Sequence, residues 1–259
     1  MKTKIFMGIC STGSRVDGQC YWQRRMEKKY GDRIEFVFPE IYIGRIFHDY
    51  ARSAYVDMFM ATDCDMLFFL DSDVVPPENL FDLVTEHGDK WELAAAPYPV
   101  WQTQTGYSGP QITYTVYEDR GEPGKMFPAP IPEKGLGWVA GAATGCLFIK
   151  RSVIQGLTKP YFEFKYNPET REMTEGEDLG FCVKVAALGK KFFIDYGMRC
   201  HHFKQVSLLD VQNFVEHQKD QVIDTCDKEI RKIVAKKQLE KMTPRPKIEI
   251  PKTHLILPK

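Results

Sequence analysis

Hydrophobic positions along this chain switch between two rhythms, and the switching sets the architecture. Residues 4–10 (KIFMGIC) are almost unbroken apolar, as are 66–70 (MLFFL). Runs of that length, bounded by turn residues, read as strands covered on both faces of a sheet. After the first run come the loop Ser11-Thr12-Gly13-Ser14 and a polar helix over 17–30, then a second strand over 34–38. Over 45–61 the rhythm becomes helical, through Ile46, Tyr50, Ala54, Met58 and Ala61. Residues 78–86 read as a helix that Pro77 can open and His87-Gly88 can close, and 93–98 as a fourth strand. Strands separated by helical patterns predict right-handed crossovers and an α/β fold with a mainly parallel sheet flanked by helices. Ligands in such sheets bind outside the carboxyl ends of the strands.

The middle of the chain changes character. Residues 99–137 are rich in Pro, Gly, Tyr and Trp, with one evident strand at 112–117. The segment is too long for a simple connection and reads as a binding loop or lid. A run of small residues over 138–145 precedes a strand at 146–149. Gly and Ala there fit a close approach by backbone or ligand, or simply tight sheet packing. A helix begins at Asp178, with Leu179, Cys182, Val183, Ala186 and Ala187 on one face and Gly189 closing it. A strand over 191–195 leads to Met198-Arg199-Cys200-His201-His202-Phe203. Residues 206–241 read as an amphipathic helix, and 243–259, with four prolines, as an extended strap.

Candidate chemistry gathers at the strand ends. The third strand runs straight into Asp71-Ser72-Asp73. Burying unpaired charge is costly, so these acids make sense at the strand's carboxyl edge, facing a crevice that holds a cation. Oxygen donors of this kind suit Mg²⁺ or Mn²⁺, with substrate phosphates completing the shell; an Asp-rich surface turn is the plain alternative. Thr174-Glu175-Gly176-Glu177-Asp178 crowds three acids at a helix start. Capping and the helix dipole account for one or two of them, not three beside a glycine. Arg45 and Arg52 lie seven apart, hence on one helix face, which is either near a ligand or solvated. His201 and His202 read as ligands or as ordinary strand-end residues.

Composition narrows the function classes. The chain has 259 residues with 35 Lys plus Arg against 35 Asp plus Glu, so no global charge points to nucleic acid or membrane. From Asp227 to Lys259, however, ten basic residues face four acidic ones. Such a basic segment packs on the body and on a second copy of the chain, or lies on an anionic surface. Seven cysteines without a C-x-x-C pair suggest reduced thiols and a cytoplasmic setting. The amino-terminal apolar stretch is short for a signal peptide, and no segment approaches a membrane span.

Taken in order, the D-x-D after a hydrophobic strand, the Gly-Cys-Leu-Phe-Ile-Lys-Arg strand, the Glu177-Asp178 helix start about a hundred residues later and the His after the next strand resemble a glycosyltransferase of the GT-A fold, in the inverting family 2-like group. The resemblance covers roughly residues 3–205. It implies a Rossmann-like catalytic domain over 1–205, with a nucleotide-sugar half over about 1–98 and an acceptor half over about 99–205. The C-terminal helix and basic tail, 206–259, lie outside it. By this resemblance Asp71 contacts the ribose and metal, and Asp73 holds a Mn²⁺ or Mg²⁺ ion bridging the donor's two phosphates. His202, rather than His201, sits near that metal. Cys10, Ser11, Thr12 and Gly13 would hold the base and ribose of a nucleotide sugar, most readily a UDP-sugar, with Ser72 and Arg52 nearby. Asp178 would be the general base on the acceptor hydroxyl, and Glu177 would orient acceptor or sugar. Trp101, Tyr107 and Trp138 offer themselves as platforms for sugar rings or as core. The acceptor stays open among polysaccharide, glycolipid, protein and a modified DNA base. Two other readings stand beside this one. A sugar-phosphate nucleotidyltransferase would want a Gly-rich basic loop after the first strand, of which Ser11-Thr12-Gly13-Ser14-Arg15 is a faint version; a non-catalytic carbohydrate-binding protein would use the same scaffold without turnover.

Overall fold

A computed structural model describes residues 2–11, 16–40, 43, 47–102, 111–122, 125–204, 211–212 and 214–216. The chain divides into one compact unit of Met1–Tyr107 and Gln111–Gln205 and a second of Ser108–Pro110 and Val206–Lys259. In the second unit residues 211–212 and 214–216 are helical; the rest of the expected tail helix and strap lies outside the described residues.

The first unit is built on a seven-stranded sheet. In spatial order its strands are Leu136–Val139, Phe192–Asp195, Leu93–Ala95, Cys146–Lys150, Met66–Asp71, Thr3–Cys10 and Ile34–Val37. Five run in one direction; Cys146–Lys150 and Leu136–Val139 run against their neighbours. The apolar runs read as doubly covered strands are just that. Met66, Phe68 and Leu70 join one core with Trp22, Met26 and Tyr30 of the Asp17–Tyr30 helix. Leu67 and Phe69 join the opposite core with Tyr55, Val56 and Phe59 of the His48–Met60 helix and Phe181 and Val185 of the Glu177–Ala187 helix. Each such side chain contributes about 1.5–3 kcal/mol by leaving water. The period of two continues into Asp71, which therefore leaves the strand on the Phe69 side, toward the His48–Met60 and Glu177–Ala187 helices.

Some elements are shorter than the patterns predict. The helix expected over 78–86 is α-helical only at Asp82–Thr85. Leu80, Asp82 and Leu83 instead donate to the carbonyls three residues back, a tight turning path out of Pro76-Pro77. The strand expected over 93–98 ends at Ala95, and that over 112–117 breaks at Thr115 into Gln111–Tyr114 and Val116–Glu118. Gln111–Tyr114 pairs with Pro99–Gln102, and Val116–Glu118 lies between Gly141–Ala142 and Phe127–Pro128. The described part of the Pro- and Gly-rich middle thus contains small β-pairings beside the main sheet. Gly189 sits two residues beyond the Glu177–Ala187 helix at φ +70°, the left-handed conformation that closes a helix and that glycine adopts without steric cost. Among the described residues no helix is long and apolar enough to cross a membrane.

Candidate active site at the strand ends

The loop after Met66–Asp71 is fixed by backbone before any side chain acts. Ser72 N–H donates to the Cys10 carbonyl (2.8 Å), and the Ser72 carbonyl accepts from Val16 N–H (3.1 Å). Gln19, fully buried in the Asp17–Tyr30 helix, donates through Nε2 to the carbonyls of Asp71 (2.7 Å) and Val74 (2.9 Å). One amide therefore clamps both sides of Asp71-Ser72-Asp73. Sequence reasoning missed Gln19; its only trace is a polar residue in line with Trp22, Met26 and Tyr30 on the buried face of that helix.

Asp71 and Asp73 part company at this loop. The Asp71 carboxylate turns to Arg52, whose Nη2 lies 2.9 Å from Oδ1 and 3.2 Å from Oδ2. The other arm of the guanidinium, Nη1, donates to Glu177 Oε1. Arg52 is 3% exposed, so the solvated-face reading is wrong: its helix face is the one turned to the core. The carboxylates of Asp71, Glu177 and Asp178 keep this buried cation ionised against the cost of its burial. Glu177 is also buried, the first residue of its helix. The structure thus brings Arg52, Asp71 and Glu177 together, joining the two halves of the chain through one planar fork.

Asp178, next along, is half-buried and accepts the Leu179 N–H at 2.8 Å. Burial first, then the neighbouring Glu177 charge, raise its proton affinity; Arg52 opposes them. Cys10 lies beneath this cluster, 2% exposed, its thiol pushed up to about 12 by burial. Its carbonyl and not its thiol is what meets the loop. Ser11 is half-buried at the end of the same strand. Thr12, Gly13, Arg45 and Tyr107 lie outside the described residues.

Asp73 faces the other way, toward His202. Val74–Val75 pairs antiparallel with His201–His202, and Phe203 N–H donates to the Asp73 carbonyl at 2.8 Å. Adjacent strand residues point to opposite faces, which separates the two histidines: His201 is exposed, whereas the His202 side chain is 7% exposed. His202 Nδ1 lies 2.7 Å from the Pro99 carbonyl, which can only accept, so Nδ1 carries a proton. His202 Nε2 lies 3.5 Å from Asp73 Oδ2. Lys204 Nζ lies 2.5 Å from that same oxygen. Burial disfavours the Asp73 anion, but the His202 and Lys204 hydrogen bonds outweigh it and hold the carboxyl at about 2. Among the described residues no group of three His, Cys, Asp or Glu side chains is poised to hold a metal ion; Asp73 and His202 form a pair, with Asp71 committed to Arg52.

Tyr98 ties the two sides. Its ring meets His202 edge-on at 4.9 Å, and its hydroxyl accepts the Gly145 N–H at 3.2 Å. Here the small-residue run has its reason. A Cβ on Gly145 would overlap the Tyr98 hydroxyl and stand 2.6 Å from Asp71 Oδ2, while one on Gly141 would press on Cys182 at 3.0 Å. Gly145→Ala is therefore expected to lose about 1–3 kcal/mol of stability in urea unfolding; an unchanged midpoint would show that the crowding is relieved elsewhere. Trp138 is not part of this cluster. It lies on the sheet-edge strand Leu136–Val139 and lines a cavity of about 560 Å³ with Gly189, Lys190 and Lys191. Trp101 is half-buried in the Pro99–Gln102 strand.

No family model matches the chain, and no curated protein sequence matches it. Among solved structures, the crystal structure of A197 from STIV is similar at TM-score 0.50 and 24% identity, over 79% of this chain and 87% of that one. The chain has a mixed α/β fold on a mainly parallel seven-stranded sheet. The structure of GalNAc-T7 with UDP, GalNAc and Mn²⁺ is similar at TM-score 0.44 and 13% identity, over 80% of this chain and 44% of that one. The likeness to A197, at 24% identity, concerns the fold alone.

Proposed function

We propose that this chain is a metal-dependent glycosyltransferase that moves a sugar from a nucleotide diphosphate sugar, a UDP-sugar, to an acceptor hydroxyl with inversion at the anomeric carbon. One arrangement carries the reading: Asp73 beside His202 at the strand ends, with Asp71 linked through Arg52 to Glu177 and so to half-buried Asp178. Asp73 and His202 suit a divalent cation by the chemistry of their donors. Asp73 Oδ2 and His202 Nε2 converge at 3.5 Å, so that one cation can be shared between an oxygen and a nitrogen donor. A mixed oxygen and nitrogen set favours Mn²⁺ over Mg²⁺, and two protein donors leave positions for phosphate oxygens. When bound, the cation stabilises the charge that develops on the leaving diphosphate.

The chain's own residues do the rest. Ser11 and Ser72, at the ends of the first and third strands, are assigned to the nucleotide side, and Asp71, held by Arg52, to the ribose. Asp178, whose proton affinity is raised, takes the proton from the attacking hydroxyl. Glu177, fixed by Arg52, orients the acceptor. The test is a nucleotide-sugar panel scored by hydrolysis and transfer in Mn²⁺, Mg²⁺ or chelator, with an added arm of NTP plus sugar phosphate scored for pyrophosphate. UDP-sugar turnover that needs the metal, and that falls about 10²–10³-fold in Asp73→Ala, is the expected result. Undiminished Asp73→Ala activity in chelator removes the metal from the mechanism, and pyrophosphate release alone makes the protein a nucleotidyltransferase.

A further inference from the structure

Lys204 takes up the carboxylate oxygen that the proposed divalent cation would use. Its ammonium sits 2.5 Å from Asp73 Oδ2, the oxygen that also faces His202 Nε2 at 3.5 Å. It follows His202 by two residues, and the intervening Phe203 N–H ties the backbone to the Asp73 carbonyl at 2.8 Å. The lysine is thus anchored at its root beside the acidic loop. Its side chain is 54% exposed against 30% for Asp73, so it reaches the carboxylate from the solvent side. A divalent ion binds carboxylate oxygen at roughly 2.0–2.2 Å. An ammonium already at contact distance from that oxygen would stand within about 3–4 Å of such an ion, where two cations repel strongly. Lysine's flexible four-carbon stem lets the charge leave without moving the backbone.

We propose that Lys204 is the site's internal counter-ion, holding Asp73 while no metal is present and, once displaced by the metal, binding the diphosphate of the donor. The inference rests on the glycosyltransferase reading above. It gives one residue two successive partners of opposite sequence origin: a carboxylate of the chain first, then a phosphate of the ligand. An ammonium is suited to both, since it pairs with either as a compact point charge.

The experiment compares wild type, Lys204→Met and Lys204→Arg by two binding measurements that need no turnover. Mn²⁺ binding to the nucleotide-free protein is followed by electron paramagnetic resonance, and UDP binding in saturating Mn²⁺ by calorimetry. Lys204→Met should bind Mn²⁺ about three- to tenfold more tightly, because its competitor is gone, and UDP about tenfold more weakly. Lys204→Arg should keep UDP binding within about threefold of wild type. Unchanged or weakened Mn²⁺ affinity in Lys204→Met overturns the inference, as does unchanged UDP affinity. If wild type binds neither Mn²⁺ nor UDP, the glycosyltransferase reading falls with it. If wild type binds both and Lys204→Met matches it, only the role of Lys204 falls.

Discussion

Arg52→Met is expected to lower the unfolding free energy by about 3–5 kcal/mol, the range for removing one partner of a buried ion pair. The guanidinium side chain is 4% exposed, and its partners Asp71 and Glu177 are 20% and 10% exposed. Methionine fills much of the same volume but leaves both acids without their cation, with Asp178 adjacent. Glu177, the more buried, has the greater penalty. At this chain length each kcal/mol moves the midpoint by about 2–4 °C, so thermal unfolding should fall by roughly 10 °C. Arg52→Lys should recover only part of the loss, because a point charge on a single stem cannot span two carboxylates as the planar fork does. Adding Asp71→Asn and Glu177→Gln to Arg52→Met should recover most of the stability, since the uncompensated charges go too. If the triple variant is as unstable as Arg52→Met, Arg52 acts through packing and not through charge.

This ion-pair fork also shows what could be read in advance. The continuous apolar strands were legible because burial on both faces leaves a pattern in composition alone. Asp71, Asp73, Glu177, Asp178 and His202 stood out because charged and titratable residues at the ends of apolar elements have no packing reason to be there. Arg52 stood out less: seven residues from Arg45 on a helix, it looked equally fit for solvent, and only the fold brings it under Asp71 and Glu177, 19 and 125 residues away in sequence. Gln19, Tyr98 and Lys204 were not legible as site residues, and Gly145 only as part of a small-residue run open to close approach. Each acts through a partner 47 to 131 residues distant, a separation no local pattern encodes. The short helix at Asp82–Thr85 and the break at Thr115 were missed for a different reason, since tertiary pairing overrides propensity where the local signal is weak.

Asp178→Asn is expected to abolish transfer while leaving the fold more stable. As general base the carboxylate must be ionised, and its loss typically costs about 10²–10⁴ in rate. Asparagine keeps the shape and still accepts the Leu179 N–H, so UDP affinity in Mn²⁺ should remain near that of wild type. The sign of the stability change follows from proton binding. The folded Asp178 holds its proton more strongly than the unfolded chain does, because of burial and of Glu177. Between the ordinary carboxyl pKa and its raised folded value the native state therefore binds the extra proton, and stability contributed by this group falls as pH rises through that interval. Above it, the ionised carboxylate remains a cost to the fold, which the neutral amide removes. Transfer by wild type should rise with pH over the interval in which stability falls, since ionisation supplies the base. Urea unfolding of the two proteins between pH 4 and 8, beside kcat/KM over the same range, tests both halves. The base assignment fails if Asp178→Asn transfers sugar within about tenfold of wild type with the same pH profile. If transfer is lost together with stability, the role of Asp178 is structural instead.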